Sequence, residues 1–149
     1  MTVKRNLESK IETAFIKTLK LNRDFGAIPI RGWQDGSNGK TYPIVLVNCE
    51  VANNETIDQT RQGDLYRMNI DIAALTYSAD DMSKSVVQGL LGIVRDSLAS
   101  KTLLAILNSK TTNISFLGVI AGNSQSQFDE NNTNIMMLTL DVRIQYRSL

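Results

Sequence analysis

Ile135-Met136-Met137-Leu138-Thr139-Leu140-Asp141-Val142-Arg143-Ile144-Gln145-Tyr146 is the stretch that decides the fold class. Met136, Leu138, Leu140, Val142, Ile144 and Tyr146 alternate with Met137, Thr139, Asp141, Arg143 and Gln145. A period of two sends successive side chains to opposite faces, so this is a strand with one buried and one open face. Residues 65–77 repeat the pattern. Met68, Ile70, Ile72 and Ala74 take one side, and Arg67, Asn69, Asp71 and Ala73 the other.

Working outward, residues 42–51 carry Ile44, Val45, Leu46 and Val47 behind Pro43, and predict a third strand. Residues 27–31 predict a short strand that Pro29 confines to an edge, and residues 114–121 a fifth. Two longer segments change period. From Asn6, a suitable N-cap, to Leu21, Leu7, Ile11, Ala14, Phe15 and Leu19 recur at helical spacing. From a cap at Ser78 or Asp80, Val86, Val87, Leu90, Leu91, Val94 and Leu98 do the same. Gly89 and Gly92 inside that helix either weaken it or mark close approach to a neighbour. Residues 102–108 extend it as a short helix. Residues 32–40, 52–64 and 122–134 are polar and read as turn and loops. The order is helix, three strands, helix, two strands. That is an α+β fold, a mainly antiparallel sheet with the N-terminal helix and a second helix on one face. The outer rows read as polar, so the other face meets solvent or another protein.

The 149 residues are expected to form one domain, 1–149, with a long hairpin loop near 52–64. Sixteen Lys and Arg against 15 Asp and Glu leave a formal charge of +1, which gives no bulk electrostatic case for nucleic acid or anionic membrane. The chain has no histidine and a single cysteine, Cys49. Histidine-based triads, histidine-bearing zinc sites and an intrachain disulfide are therefore excluded. Neutral Asn, Gln, Ser and Thr outnumber the charged residues, a surface suited to protein contacts. No apolar run approaches the ~20 residues needed to span a bilayer, so no membrane partner is expected.

Few motifs carry chemistry. Gly39-Lys40-Thr41 ends like a phosphate-binding loop, but Gln34 stands where the first glycine belongs and Tyr42-Pro43 follows instead of a helix. It reads as a hairpin turn. Adjacent carboxylates at Asp80-Asp81 and Asp129-Glu130 do not face one substrate, as acid–base work requires. Cys49 lies between Val47 and Val51 with no cation beside it in sequence, and reads as a buried small hydrophobe. Trp33, Tyr42 and Tyr66 lack an accompanying basic cluster, so they read as anchors of the core or of a protein interface. No catalytic residue, metal site or cofactor is expected. The loop 52–64 holds Ile57 as its sizeable apolar residue, with Asp58 and Arg61 beside it. Such a loop is either a bland flexible connection or an arm that orders on a partner.

Taken in order along nearly the whole chain, this pattern resembles the tail terminator (tail completion) proteins of tailed bacteriophages. The likeness rests on the N-terminal helix, the strand pair with its long loop, and Arg67-Met68-Asn69-Ile70-Asp71-Ile72. It continues through the helix opened by Ser78-Ala79-Asp80-Asp81 and the closing strand from Met137 to Tyr146. It implies a virion protein, not an enzyme, assembled in the host cytoplasm into a hexameric ring that caps the tail tube, stops its polymerisation and docks to the neck. The implied partners are further copies of the chain, the tail tube protein and a neck or head-completion protein, with a tail sheath as a further contact and DNA as cargo through the lumen. Another neck, connector or tail-tube component, or a small α+β ligand-binding or enzyme domain, are the alternatives. Ring contacts are expected at Asn69, Asp71, Asp141 and Arg143, where the outward rows meet, and docking at Ile57, Asp58 and Arg61.

Overall fold

Strands β3 (Asp64–Tyr77) and β5 (Thr133–Tyr146) pair antiparallel over their whole lengths, from Asp64 opposite Tyr146 to Tyr77 opposite Thr133. This is the centre of a five-stranded sheet in a computed structural model that describes residues 2–32, 43–55, 64–77, 83–129 and 133–146. The sheet adds β2 (Ile44–Glu55) and the short β1 (Ile30–Gly32) on one side and β4 (Ile114–Asp129) on the other, in the order β1-β2-β3-β5-β4. Only β1 runs parallel to its neighbour. The helices are α1 (Thr2–Lys20), α2 (Ser83–Leu98) and α3 (Leu103–Ser109), with a 3-10 turn at Arg23–Phe25. The fold is α+β, as the periodicities predict.

All three helices cover the same sheet face. α1 lies on β1 and β2, α2 on β3 and β5, and α3 on β4. The α1 stripe Leu7, Ile11, Ala14, Phe15 and Leu19 is buried, as are Val87, Leu90, Leu91 and Val94 of α2 and Leu103 and Leu107 of α3. They meet the inner row of the sheet: Val45, Val47 and Cys49, then Met68, Ile70, Ile72 and Ala74, then Leu138, Leu140, Val142 and Ile144. Phe15 sets its ring edge-to-face on Phe116 of β4, with centroids 5.9 Å apart, which ties the N-terminal helix to the far strand. The buried Thr18 hydroxyl is satisfied within its own helix by donating to the Ala14 carbonyl at 2.8 Å. Asn113, at φ 65°, takes the left-handed turn that starts β4, a conformation asparagine tolerates.

The strands run further than the sequence pattern suggests. Residues 122–129 belong to β4, not to a loop; only 130–132, outside the described residues, separate it from β5. The Ser-Gln-Ser-Gln repeat offers no apolar row to read. Its main chain is instead held by the β5 ladder, from Ser124 opposite Leu138 to Asp129 opposite Thr133. Likewise β2 continues past a bulge after Val51, with Asn53, Asn54 and Glu55 opposite Arg67, Tyr66 and Leu65. Residues 52–55 and 64 of the expected loop therefore belong to strands, and 56–63 lie outside the described residues. The N-terminal helix begins at Thr2 and runs through Asn6, because nothing in Thr2-Val3-Lys4-Arg5 breaks a helix. β1 shifts forward to include Gly32, and the Pro29 carbonyl accepts from the Val45 amide at 3.0 Å. The expected caps of α2, Ser78 and Asp80, lie outside the described residues.

Two further expectations need correction. Gly89 and Gly92 admit no close neighbour, since a Cβ at either would meet nothing within 4 Å. The glycine that does enforce an approach is Gly122, in the second bulge of β4, where a Cβ would stand 3.0 Å from the Thr139 carbonyl oxygen. The outer face of the sheet is also not polar throughout. Ile44, Leu46, Ala73 and Leu75 form a second buried cluster there, with Ile135 and Met137 half-buried against it.

Leu140 and Gly89 should behave oppositely in urea unfolding. Leu140→Ala empties a fully buried central position and is expected to cost about 2–5 kcal/mol. Gly89→Ala removes a helix-interior glycine at an exposed, unobstructed site and is expected to add about 0.5–1 kcal/mol.

Candidate functional site

Beyond the second apolar cluster, the outer face of β3 and β5 turns polar, and register brings four sequence-predicted residues together there. Asn69 stands opposite Asp141, Asp71 opposite Thr139, and Arg67 opposite Arg143. Two arginines directly across from each other would repel. The diagonal neighbour relieves this: the Arg67 guanidinium donates to both Asp141 carboxylate oxygens, at 2.6 and 3.4 Å. The Thr139 hydroxyl donates to Asp71 at 2.8 Å. Asn69 and Arg143 are exposed, while Asp71 and Asp141 are half-buried. On β2, Asn48 and Glu50 extend the same row opposite Asp71 and Asn69.

The patch holds charges of both signs in alternation, so it has no strong field of either sign for an anionic or cationic ligand. Arg67–Asp141 is partly exposed, with side chains 41% and 32% accessible. Such a pair sets side-chain geometry more than stability, being worth about 0–1 kcal/mol. What the arrangement supplies is a row of hydrogen-bonding groups on the outer face of the sheet, held by pairs between β3 and β5.

Sequence reasoning found Asn69, Asp71, Asp141 and Arg143 but passed over Arg67 and Thr139, which hold the two aspartates. Both stand in the quoted rows; only the β3–β5 register shows that they are the partners. It also missed Leu117 and Ile120 on β4, 50% and 67% exposed. Their signal was obscured because bulges between Phe116 and Gly118 and between Ala121 and Ser124 break the alternation.

Ile57, Asp58 and Arg61 lie outside the described residues, as do Gly39-Lys40-Thr41, Trp33, Tyr42, Asp80, Asp81 and Glu130. Tyr66 is half-buried against the main core, in keeping with an anchoring aromatic. Among the described residues, no three His, Cys, Asp or Glu side chains gather as metal ligands.

No family model matches the chain, and no curated protein matches it. A solved structure does. A chain in the virion of a native gene transfer agent (GTA) particle superposes with a TM-score of 0.67, covering 90% of this chain and 93% of that one. Sequence identity is 15%, so the likeness is one of fold.

Cys49 belongs to the inner row and is buried. Burial pushes its thiol well above the ordinary value, and the negative charges of Glu8, Glu12 and Glu50 add to the shift. The nucleophilic thiolate is thereby suppressed. Cys49 should resist iodoacetamide in the folded protein at mildly alkaline pH and react promptly once urea unfolds the chain; mass spectrometry of the alkylated product reads both states.

Proposed function

We propose that this chain is a structural protein of a virion, and that within the particle it acts as a tail terminator. The observation that carries the reading is the fold shared end to end with a chain of the gene transfer agent virion, with little of either chain left over. The outer sheet face supports it: a broad surface of paired polar groups suits a protein contact better than a small-molecule pocket. The absence of histidine throughout the sequence also removes the commonest acid–base catalyst.

In this role the chain forms a ring of identical subunits, six by the family resemblance, over the end of the tail tube. The ring stops tube growth and presents its far side to the neck. Closed rings use head-to-tail contacts, so each subunit offers two different surfaces. The row Asn69, Asp71, Asp141 and Arg143 serves as a subunit contact or as the lining of the lumen. The segment 56–63, between β2 and β3, is the docking arm, with Ile57 as its apolar anchor and Asp58 and Arg61 giving polar register around it. An arm of this kind orders on its partner and bears that entropy cost at binding.

Negative-stain images of the purified protein, with its mass from light scattering, test the ring. Hexameric rings are expected, and particles made without the protein should carry overlong tails that do not join heads. Normal tails joined to heads would rule out termination and favour another neck or tube component. Asp71→Lys combined with Asp141→Lys should leave the circular dichroism spectrum native, because both sites are on the open face, yet reduce the yield of functional particles. An unchanged yield removes this row from the assembly.

The docking arm is tested separately. Replacing residues 56–63 by Asn-Gly should leave the melting temperature nearly unchanged while tails fail to join capsids. Normal joining by the shortened protein would show that the arm is not the docking element.

A further inference from the structure

β4 closes one side of the sheet, and its outward edge faces no strand among the described residues. Two contacts close part of that edge by other means. At its start the Phe116 amide donates to the Asn108 side chain at 2.7 Å, and in the second bulge the Gly122 carbonyl accepts from Arg95 at 3.4 Å. An open edge is a template for another strand, and proteins ordinarily blunt it with lysine, proline or inward charge. Residues 114–128 contain no charged residue and no proline; Asp129 ends the strand, and its two bulges are the blunting features it carries. Two of the three large apolar side chains exposed among the described residues, Leu117 and Ile120, stand on this strand.

The opposite end of the sheet is complementary. Among the described residues β1 pairs with β2 only at Val45, Leu46 and Val47, so residues 48–55 extend beyond that described pairing. Each step from β2 to β3, β3 to β5 and β5 to β4 is antiparallel, so β4 runs antiparallel to β2. A second copy set edge to edge in the same orientation therefore brings its β2 against β4 in antiparallel sense. A two-fold pairing of β4 with β4 would leave the 48–55 edge, open among the described residues, unused in both copies; the head-to-tail pairing uses one edge from each copy and repeats into a ring.

We propose that the open edge of β4, from Leu117 onward, is where a second copy of this chain adds residues 48–55 of its β2, joining the two sheets into one across the subunit boundary. This deepens the ring reading and rests on it. Leu117 and Ile120 are the apolar contacts of the joint, and the main-chain ladder gives it register. Asn108 marks the end of the joint, because the Phe116 amide it occupies is no longer free for a neighbour.

The test uses the full-length chain. Leu117→Lys with Ile120→Lys places two charges on the edge at positions already at least half exposed. The double variant should keep the wild-type circular dichroism spectrum and melting temperature but fall to monomer mass in light scattering, whereas Ile120→Val should assemble like wild type. A double variant that still assembles overturns the edge proposal while leaving the ring reading intact. A wild-type chain that stays monomeric at every concentration, with particles that terminate normally without it, overturns both. Cross-linking supplies a measurement independent of variant stability. Ile120→Cys mixed with Glu50→Cys, both on the outer face, should give a disulfide-linked pair, and Ile120→Cys alone should not. A self-linked Ile120→Cys dimer would show two-fold β4 pairing and overturn the head-to-tail joint.

Discussion

The pairing of β3 with β5 is the constraint on which the rest of this molecule depends. Fourteen consecutive residue pairs run from Asp64 with Tyr146 to Tyr77 with Thr133, with no bulge in either strand of that ladder. They set Met68, Ile70, Ile72 and Ala74 opposite Val142, Leu140, Leu138 and Met136 in one apolar row. Helix α2 lies on both strands at once, and β2 and β4 are added at their outer sides. A slip of either strand by one residue would turn that strand's whole apolar set to the opposite face. A slipped β3 would carry Asp71 into the core and Ile70 outward; a slipped β5 would do the same with Asp141 and Leu140. The cost of burying a carboxylate without a partner is what makes the register unambiguous.

The same alternation that builds the core builds the outer surface. Because β-strands are two-sided, the residues excluded from the inner row are aligned on the outer face without further instruction. Arg67, Asp71, Thr139 and Asp141 are then near enough to satisfy one another. Toward the other end of the strands the outer row becomes Ile44, Leu46, Ala73 and Leu75, and the face divides into an apolar and a polar half. The sheet beneath this face is braced by three helices. In the proposed assembly, the polar half and the uncharged edge of β4 supply different kinds of contact. The first is a set of hydrogen bonds and the second a continuation of the main-chain ladder.

Much of this was legible in the chain itself. The helical stripe from Leu7 to Leu19 and the alternation in residues 65–77 and 135–146 specify α+β architecture, since each pattern has only one secondary structure that buries its apolar set. The polar row Asn69, Asp71, Asp141 and Arg143 follows from the same alternation, and the lack of histidine settles by itself which catalytic chemistries are excluded. The buried state of Cys49 follows from its place two residues from Val47 in an apolar row.

What the local pattern left open was decided by partners distant in sequence. The Ser-Gln-Ser-Gln stretch of β4 and the Asn-rich end of β2 are strands because neighbouring strands offer hydrogen bonds to their backbones, and no side-chain periodicity announces that. Arg67 is paired with Asp141, 74 residues away, only because β3 and β5 align in one register. Leu117 and Ile120 become an exposed edge only because β4 is last in the order and bulged. The chain's own side chains determined which faces exist, because burial is read residue by residue; tertiary structure decided which backbones remain open, because a strand's hydrogen-bonding edge is independent of its side chains and is used up only by a neighbour.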